Sequence, residues 1–312
     1  MYLQRKGASM WFKNLQLLRL RPHWDMSAAK LADLLTTQVF QPCSGLQSES
    51  IGWISPRDNG QLVYAFNRQL LISLAIEKKN LPGQTIKQKV KEKAAALESQ
   101  QGFKPGKKQL KEIKEQIIDD LLPKAFPVRS TIQVWIDPVN GWIGIDASSP
   151  AKAELVFKYL LKGIEQLPVS SLRLCRSTTT AMTEWLSEDE APGAFTVDNE
   201  AELQSMSEGK ATVKYTRHSL DAQDVRNHIV AGKQCLNLAM TWNSKISFVL
   251  SGNTTIKRIR PLEVLKNHAD PTAKGSEEAF DSDWALMTGE LNGLINGLID
   301  ALGGEVLDEM AA

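Results

Sequence analysis

Lysine residues are concentrated in one segment of this sequence, and the chemistry they offer is ionic contact with phosphate groups. Between Lys78 and Lys114 there are eleven lysines and three carboxylates, whereas the formal net charge of all 312 residues is +1. The compensating acids lie far away, because from Glu263 onward there are eleven carboxylates and two lysines. Such a distribution creates a local positive field that the net charge hides. The lysine segment therefore predicts polyanion binding, with nucleic acid as the first ligand to test.

The lysines near the end of this segment are sorted by helical face. At 100° per residue, Lys107, Lys111 and Lys114 lie within about 40° of one line. The opposite side carries Lys108 together with three acids, Glu112, Glu115 and Asp119. Lysines at positions i, i+4 and i+7 repel one another, so this stripe costs stability unless an anion lies against it. The alternative is a solvated helix face that only aids solubility, as most charge runs do.

A helical hairpin is the element that would position these lysines. Apolar residues at helical spacing form two seams, which consist of Ile86, Val90, Ala94 and Leu97, and of Leu110, Ile113, Ile117 and Leu121. Lys89 and Lys93 flank the first seam on one side. The turn from Gly102 to Gly106 separates the two helices, and Pro123 ends the second.

The remainder of the chain alternates between short strands and helices. Strands are predicted over 12–20, 61–66, 69–76, 131–137, 142–146, 211–216, 235–242, 246–250 and 255–259. Further helices are predicted after the capping candidates Asp25 and Ser27, and over 151–166, 178–186, 221–231 and 280–302. This pattern predicts the α+β class, with antiparallel sheets and segregated helices. We divide the chain into a tag or extension (1–9), an N-terminal α+β part (10–77), the basic hairpin (78–124), a central α+β part (125–190) and a C-terminal α+β part (191–312).

Catalytic motifs are sparse. The segment Ala231-Gly232-Lys233-Gln234 lacks the glycine spacing and the hydroxyl of a phosphate-binding loop. Two S-x-x-K matches begin at Ser27 and Ser149, and both serines are better explained as helix caps. The four histidines contain no H-x-x-x-H pair. We therefore expect no catalytic residue, no metal site and no cofactor, and we predict that the protein is not an enzyme.

The cysteine content and the hydropathy of the sequence indicate the cellular compartment in which the protein is expected. The three cysteines, Cys43, Cys175 and Cys235, are odd in number and far apart, so we expect buried thiols in a reducing cytoplasm. No apolar stretch approaches the roughly 20 residues that a bilayer crossing needs. The sequence therefore predicts a cytoplasmic protein that does not bind membranes.

Aromatic and basic residues outside the hairpin suggest further contacts. Four tryptophans, Trp135, Trp142, Trp242 and Trp284, lie in apolar contexts that favour core packing. Phe126 lies between Pro123 and Pro127, where an exposed aromatic would suit self-association. Basic residues recur in the second half as Lys210, Lys214, Arg217, Arg226, Lys233, Lys257, Arg258 and Arg260. No base-reading element accompanies them, so phosphate contact without base readout is the natural inference.

Eight segments in a fixed order resemble the RdgC family of bacterial recombination-associated proteins. They are Met10-Trp11-Phe12-Lys13-Asn14-Leu15, Leu121-Leu122-Pro123-Lys124-Ala125-Phe126, Trp135-Ile136-Asp137 with Asp146-Ala147-Ser148, Ala231-Gly232-Lys233, Lys257-Arg258, Leu286-Met287-Thr288-Gly289-Glu290-Leu291 and Ala301-Leu302-Gly303-Gly304-Glu305. The resemblance spans nearly the whole chain from Met10. It departs from the family at Arg217-His218-Ser219-Leu220, where a basic residue is usually followed by Gln-Asp-Leu.

The resemblance implies a homodimer closed into a ring that encircles double-stranded DNA without sequence preference. It further implies a nucleoid-associated protein that restrains RecA-type recombinase activity, with the hairpin as a projecting finger. Residues expected at the dimer interface are Lys124, Phe126, Arg217 and His218. Residues expected to contact DNA, from the charge pattern and the resemblance together, are Lys89, Lys93, Lys107, Lys108, Lys111, Lys114, Lys124, Arg129, Arg217, Lys233, Lys257 and Arg258. A compact monomer of this length has a radius of gyration of about 20 Å, so encirclement requires two copies.

Two other functions remain open at this point. The protein is an interaction module if the hairpin or the acidic C-terminal helix binds a recombinase directly. It is a nuclease if Asp137, Asp146 or Asp281 binds a divalent metal, although no clustered ligand motif supports this.

Overall fold

The computed structural model describes residues 10–21, 24, 26–57, 59–220, 223–266 and 276–306. Within these residues, twelve strands form two antiparallel sheets of seven and five strands, accompanied by eight helices. The α+β class is thereby confirmed. The extension expected over residues 1–9 lies outside the described residues.

The strands are β1 (Gln16–Leu20), β2 (Glu49–Ile54), β3 (Tyr64–Phe66), β4 (Gln69–Lys79), β5 (Pro127–Asp137), β6 (Trp142–Ile145), β7 (Val169–Ser171), β8 (Phe195–Ser205), β9 (Thr212–Thr216), β10 (Lys233–Trp242), β11 (Ile246–Ser251) and β12 (Ile256–Pro261). The helices are α1 (Ala28–Thr36), α2 (Gly83–Gln101), α3 (Lys107–Leu121), α4 (Pro150–Gly163), α5 (Thr178–Glu188), α6 (Gln223–Val230), α7 (Glu263–Lys266) and α8 (Ser276–Ala301). A single 3-10 turn covers Leu122–Lys124.

The chain divides into two compact units. The larger unit comprises Met1–Met26, Ala65–Leu71 and Val134–Ala312, and the smaller unit comprises Ser27–Tyr64 and Ile72–Gln133. The chain passes between the units within β4 and within β5, because each of these strands contributes residues to both.

The smaller unit is built on the antiparallel pairing of β2 with β4, in which Ile51 is opposite Ile76 and Trp53 is opposite Leu74. Strand β2 was not predicted, because Gly52 interrupts its apolar residues and glycine weakens a strand. The structure explains why a glycine occupies this position. A Cβ atom at Gly52 would lie 2.5 Å from the backbone of Phe40, so only glycine admits the neighbouring segment.

The larger unit contains strand pairs from both sheets. Strand β1 pairs with β6 and β7, β6 pairs with β5, and the five-stranded sheet has the order β12-β11-β10-β8-β9. Strand β8 was not predicted, because the alternation of apolar and polar residues along it is broken. The register against β10 shifts between Val197 and Ala201, as expected for a β-bulge.

Tryptophan packing forms much of the core of the larger unit. Trp135, Trp142 and Trp284 are buried, as predicted. Trp242 is half-buried and lies against α8, where added Cβ atoms at Gly293 and Gly297 would come within 2.7 Å and 3.2 Å of its ring. These two glycines allow α8 to approach β10 closely.

The predicted caps and thiols agree with the structure only in part. The Ser27 hydroxyl accepts a hydrogen bond from the Lys30 amide at 3.2 Å, which confirms this cap. Ser149 precedes α4, but its side chain makes no capping hydrogen bond. The prediction of three buried thiols was wrong, because Cys235 is buried, Cys43 is half-buried and Cys175 is exposed. Cys175 lies in a surface loop where its amide donates to the carbonyl of Gly304.

Across the described part of the chain, no helix combines the length and the apolar character needed to cross a bilayer.

Candidate nucleic-acid interface

Helices α2 and α3 carry the densest cluster of basic side chains. A short loop from Gly102 to Gly106 joins them. Gly102 ends α2 in the left-handed region at φ +80°, and its amide donates to the carbonyl of Glu98 at 2.8 Å. Gly106 occupies the N-cap position of α3, and its amide donates to Gln109 Oε1 at 3.0 Å. The sequence spacing therefore predicted both helices and the break between them.

The two helices contact each other through a narrow apolar seam. Ile113 and Ile117 of α3 are buried, but no residue of α2 is fully buried. The predicted seam of α2 is half-buried, as Ile86, Val90, Ala94 and Leu97. A hydrogen bond of 3.0 Å from Lys93 Nζ to Gln116 Oε1 joins the two helices beside a cleft of about 360 Å³. Most of the surface of these helices therefore remains available to solvent or to a ligand.

The lysines of α2 and α3 expose their side chains. Those predicted to bind DNA are exposed without exception, and they are Lys89, Lys93, Lys107, Lys108, Lys111 and Lys114. Within the described residues, Lys89, Lys107, Lys108 and Lys114 have no ion-pair partner. Lys111 lies 3.8 Å from Glu115, so this acid is nearer to the lysine stripe than expected. An exposed pair of this kind contributes about 0.5 kcal/mol at most, so a phosphate could displace it at little cost.

The segment after α3 presents the aromatic side chain that was expected at a surface. Phe126 is 86% exposed, and Lys124 and Val128 beside it are exposed as well. The backbone of this segment is anchored, because the Asn80 amide donates to the Phe126 carbonyl at 3.1 Å. A fixed backbone that presents a bare aromatic ring is suited to contact with another protein surface.

Arg129 is held by a buried carboxylate. Its Nε and Nη2 atoms donate to Glu77 Oε2 at 3.1 Å and 2.9 Å, and its guanidinium lies 4.3 Å from the Phe40 ring centroid. The other oxygen of Glu77 accepts from the Cys43 amide at 2.8 Å, and Glu77 is 4% exposed. Arg129, which was predicted to contact DNA, connects β5 to β4 through this ion pair in the structure.

These contacts shift two pKa values in the smaller unit. The Cys43 amide and then the Arg129 guanidinium lower the pKa of Glu77, although its burial acts in the opposite direction. Burial and the adjacent Glu77 carboxylate raise the pKa of the Cys43 thiol. The Cys43 thiol is therefore kept protonated and is a poor nucleophile.

The Glu77→Gln variant is expected to lose stability at neutral pH and to lose part of the pH dependence of unfolding. Because the folded-state pKa of Glu77 lies below its ordinary value of 4.5, the carboxylate stabilises the fold above that value, and this contribution disappears as the pH falls through the folded pKa. We expect a loss of about 2 kcal/mol at pH 7. Urea unfolding between pH 3 and pH 7 measures both effects.

Glu49→Gln is the matched control, because Glu49 of β2 pairs with Lys78 of β4 at 3.0 Å in the same unit but is exposed. Unfolding free energies of the Glu77→Gln variant that run parallel to the wild-type values at every pH would contradict the assignment.

Three of the residues predicted to contact DNA in the larger unit, Arg217, Lys257 and Arg258, line two adjoining clefts of about 270 Å³ and 260 Å³. Lys257 and Arg258 line the first cleft, and Arg217 and Arg258 line the second. The Arg258 guanidinium forms an ion pair with Glu200, and Lys257 Nζ donates to Ser251 Oγ at 3.1 Å. Glu200 was not predicted, since no local sequence pattern shows which acid of a bulged strand will face an arginine.

Arg217 and His218 lie together after β9, and Lys233 lies separately at the start of β10. Arg217 follows β9 in the left-handed region at φ +55° and is exposed. The neighbouring His218 Nε2 lies 3.9 Å from Asp224 Oδ2. Lys233 begins β10, where its Nζ lies 3.1 Å from His228 Nδ1, and it lines neither cleft.

Asp137 and Asp146, two of the candidate metal-binding acids, accept structural hydrogen bonds. Asp137 is buried and accepts hydrogen bonds from the Val139 amide, from the amide and the side chain of Asn140, and from the Asn292 side chain, at 2.8–2.9 Å. Asp146 accepts from the Asn14 amide at 2.8 Å. Over the part of the chain that the structure describes, no cluster of three or more potential metal ligands occurs.

Comparisons with known proteins identify related sequences along almost the entire chain. A family model described as "Putative exonuclease, RdgC" matches residues 10–305. The chain is 58% identical over 297 residues to the recombination-associated protein RdgC of Janthinobacterium sp. (strain Marseille), covering 95% of this chain and 99% of the relative. It is 54% identical over 296 residues to the protein of the same name from Herminiimonas arsenicoxydans, with the same coverage. The protein of that name from Burkholderia orbicola (strain MC0-3) is 52% identical over 299 residues, which is 96% of this chain and 97% of the relative.

Proposed function

We propose that this chain, which belongs to the RdgC family of recombination-associated proteins, is a non-enzymatic protein that binds double-stranded DNA without sequence preference. The observation that carries the proposal is the exposed lysine face of α2 and α3, where Lys89, Lys107 and Lys114 have no ion-pair partner among the described residues. Mobile ammonium groups neutralise phosphates and release counterions, which gives affinity without reading bases.

Equal affinity for unrelated sequences is the direct test of this function. Two duplexes of the same length and different sequence should have dissociation constants within about threefold of each other, because phosphate contacts carry no sequence information. Fluorescence anisotropy at fixed salt measures these constants. A preference of a hundredfold for one sequence would require base contacts and would contradict the proposal.

We propose further that two copies form a ring around the duplex. The support is Phe126, an exposed aromatic on an anchored backbone, together with the exposed Arg217 and His218 in the larger unit. If each of these two patches contacts the same patch on the other subunit, the two contacts together close the two subunits into a ring. Lys124 is adjacent to the first patch and can serve both the dimer contact and the DNA contact.

Occupation of the duplex explains a role in recombination without an enzymatic step. The relatives carry the name recombination-associated protein, and we propose that this chain acts in recombination as well. A ring on double-stranded DNA excludes a RecA-type recombinase from the same stretch, so its effect is restraint by competition. In this proposal the protein is nucleoid-associated, because its ligand is chromosomal DNA.

Exonuclease activity is the second candidate function, since the description of the matching family model names it. Incubation of linear and closed circular DNA with the protein and magnesium is expected to release no nucleotides, because Asp137 and Asp146 use their oxygens in structural hydrogen bonds. Acid-soluble release from end-labelled DNA measures the reaction.

Time-dependent release of nucleotides by the wild-type protein would contradict the non-enzymatic proposal. The Asp281→Asn variant provides a control for contamination, because a nuclease that binds its metal through Asp281 would lose activity, whereas a copurifying nuclease would act equally with either preparation.

A further inference from the structure

The loop between α2 and α3 presents an aromatic side chain to solvent. Phe103 is 62% exposed, and it lies between Gly102 and the sequence Lys104-Pro105-Gly106. The sequence pattern predicts this loop only as the break between two helices. A single exposed apolar residue is common on protein surfaces and needs no function by itself. Two further properties of the loop distinguish Phe103 from such a residue.

The first property is that side chains fix the backbone of the loop. Gln101 Nε2 donates to the Phe103 carbonyl at 2.9 Å, and Gln109 Nε2 donates to Gln101 Oε1 at 3.3 Å. Gln109 Oε1 in turn accepts from the Gly106 amide at 3.0 Å. This chain of hydrogen bonds links the end of α2 to the start of α3 through Gln101 and Gln109, and it holds the Phe103 carbonyl at one end. The ring is therefore presented on a braced loop, which lowers the conformational entropy lost on binding.

The second property is the charge around the ring. From Ser99 to Lys111 the chain contains four lysines and no carboxylate. Lys104, Lys107 and Lys108 are exposed. The first amides of the 15-residue helix α3 point toward the same loop without a side-chain cap, and helix N-termini attract phosphate. Every charged residue between Ser99 and Lys111 is therefore basic, so the segment that carries Phe103 is suited to contact with the DNA backbone.

We propose that Phe103 inserts between adjacent base pairs of the bound duplex as an apolar wedge. The inference rests on the proposed DNA-binding function. Proteins that combine backbone contacts with an inserted apolar side chain partly unstack one base step and kink the duplex. Phe103 has no hydrogen-bonding group in its ring, so insertion favours steps that unstack easily and reads no particular base. A contact of Phe103 with another protein is less favoured, because the surrounding lysines match phosphates.

A bending measurement tests the wedge. Duplexes labelled with a donor and an acceptor dye at their ends should show increased energy transfer when the wild-type protein binds, as expected for a kink of about 20–90°. The wild-type protein should also bind a duplex with one mismatch at least about fivefold more tightly than a fully paired duplex, because less stacking is lost. The Phe103→Ala variant should lose the bend and the mismatch preference, while the dependence of affinity on salt stays the same.

Two further variants separate a wedge from a general loss of structure. Leu46→Ala is the matched control, since Leu46 is 60% exposed in the same unit, and this variant should bend DNA like the wild type. Gln109→Ala removes the brace without changing any charge, so it should reduce the bend while the salt dependence is retained.

The outcomes distinguish this inference from the proposed function. If the wild-type protein binds no duplex, the DNA-binding function fails. If it binds and the Phe103→Ala variant bends DNA equally well, only the wedge is overturned. If Phe103→Ala changes nothing on DNA but abolishes capture of a purified recombinase after nuclease treatment, the loop is a protein contact and the wedge is overturned as well.

Discussion

Replacement of Lys107, Lys111 and Lys114 by alanine is expected to weaken duplex binding roughly 500-fold at 0.1 M salt. Each phosphate contact contributes about 0.9 to the slope of log affinity against log salt, so the loss of three contacts makes the slope shallower by about three units. Plots of log affinity against log salt for the wild type and the variant should meet near 1 M salt, where counterion release no longer favours binding. Fluorescence anisotropy from 0.05 M to 0.3 M salt measures both slopes.

The matched control removes the same charge elsewhere. Lys152, Lys158 and Lys162 lie on α4, which sequence analysis did not assign to DNA contact. Their replacement by alanine changes the net charge equally and should change the slope by less than one unit. Equal weakening by the two triple variants would mean that net charge, and not the face of α3, determines binding.

The Phe126→Asp variant is expected to open the ring. Phe126 is 86% exposed in the single chain, so a carboxylate at this position costs little in the monomer but would be buried without a partner in the dimer contact. Central aromatic residues of interfaces contribute at least about 2 kcal/mol, which corresponds to about 30-fold weaker association. Closed circular plasmid DNA that has been loaded with wild-type protein should retain it through a high-salt wash, whereas the variant should be released.

Linear plasmid DNA provides the topological control, because a closed ring slides off free ends. The wild-type protein should therefore be released from linear DNA, and the variant from both forms. Leu46→Asp introduces the same charge at another exposed apolar position of the same unit and should behave like the wild type. Retention of the Phe126→Asp variant on circular DNA would remove Phe126 from the contact that closes the ring.

The parts of the candidate site that the sequence predicted are governed by local periodicity. The apolar seams of α2 and α3 repeat at helical spacing, so the exposed positions of the lysines between them follow from helix geometry alone. The exposure of Phe126 was predicted from its two neighbouring prolines. Each of these inferences depends on residues within about one helix length of one another.

The parts that the sequence could not predict depend on residues far apart in the chain. Arg129 and Glu77 are separated by 52 positions, and Arg258 and Glu200 by 58. A count of basic residues treats both arginines as available, but each is paired with a carboxylate. If these two arginines contact phosphate at all, they must first give up an ion pair, so they are weaker candidates than Lys107 or Lys114.

Dependence on residues far apart in the chain also explains why strands β2 and β8 were not predicted. Gly52 looks unfavourable for a strand until Phe40 is brought against it, and the bulge of β8 is defined only by its pairing with β10. Both features are decided by tertiary contacts that override local propensity.

The salt dependence of wild-type affinity for a duplex of arbitrary sequence tests the central claim most directly. If the lysine face neutralises about six phosphates, log affinity should fall against log salt with a slope near −5. An affinity that stays constant between 0.05 M and 0.3 M salt would contradict the account, because no arrangement of ammonium groups on phosphates can be insensitive to salt.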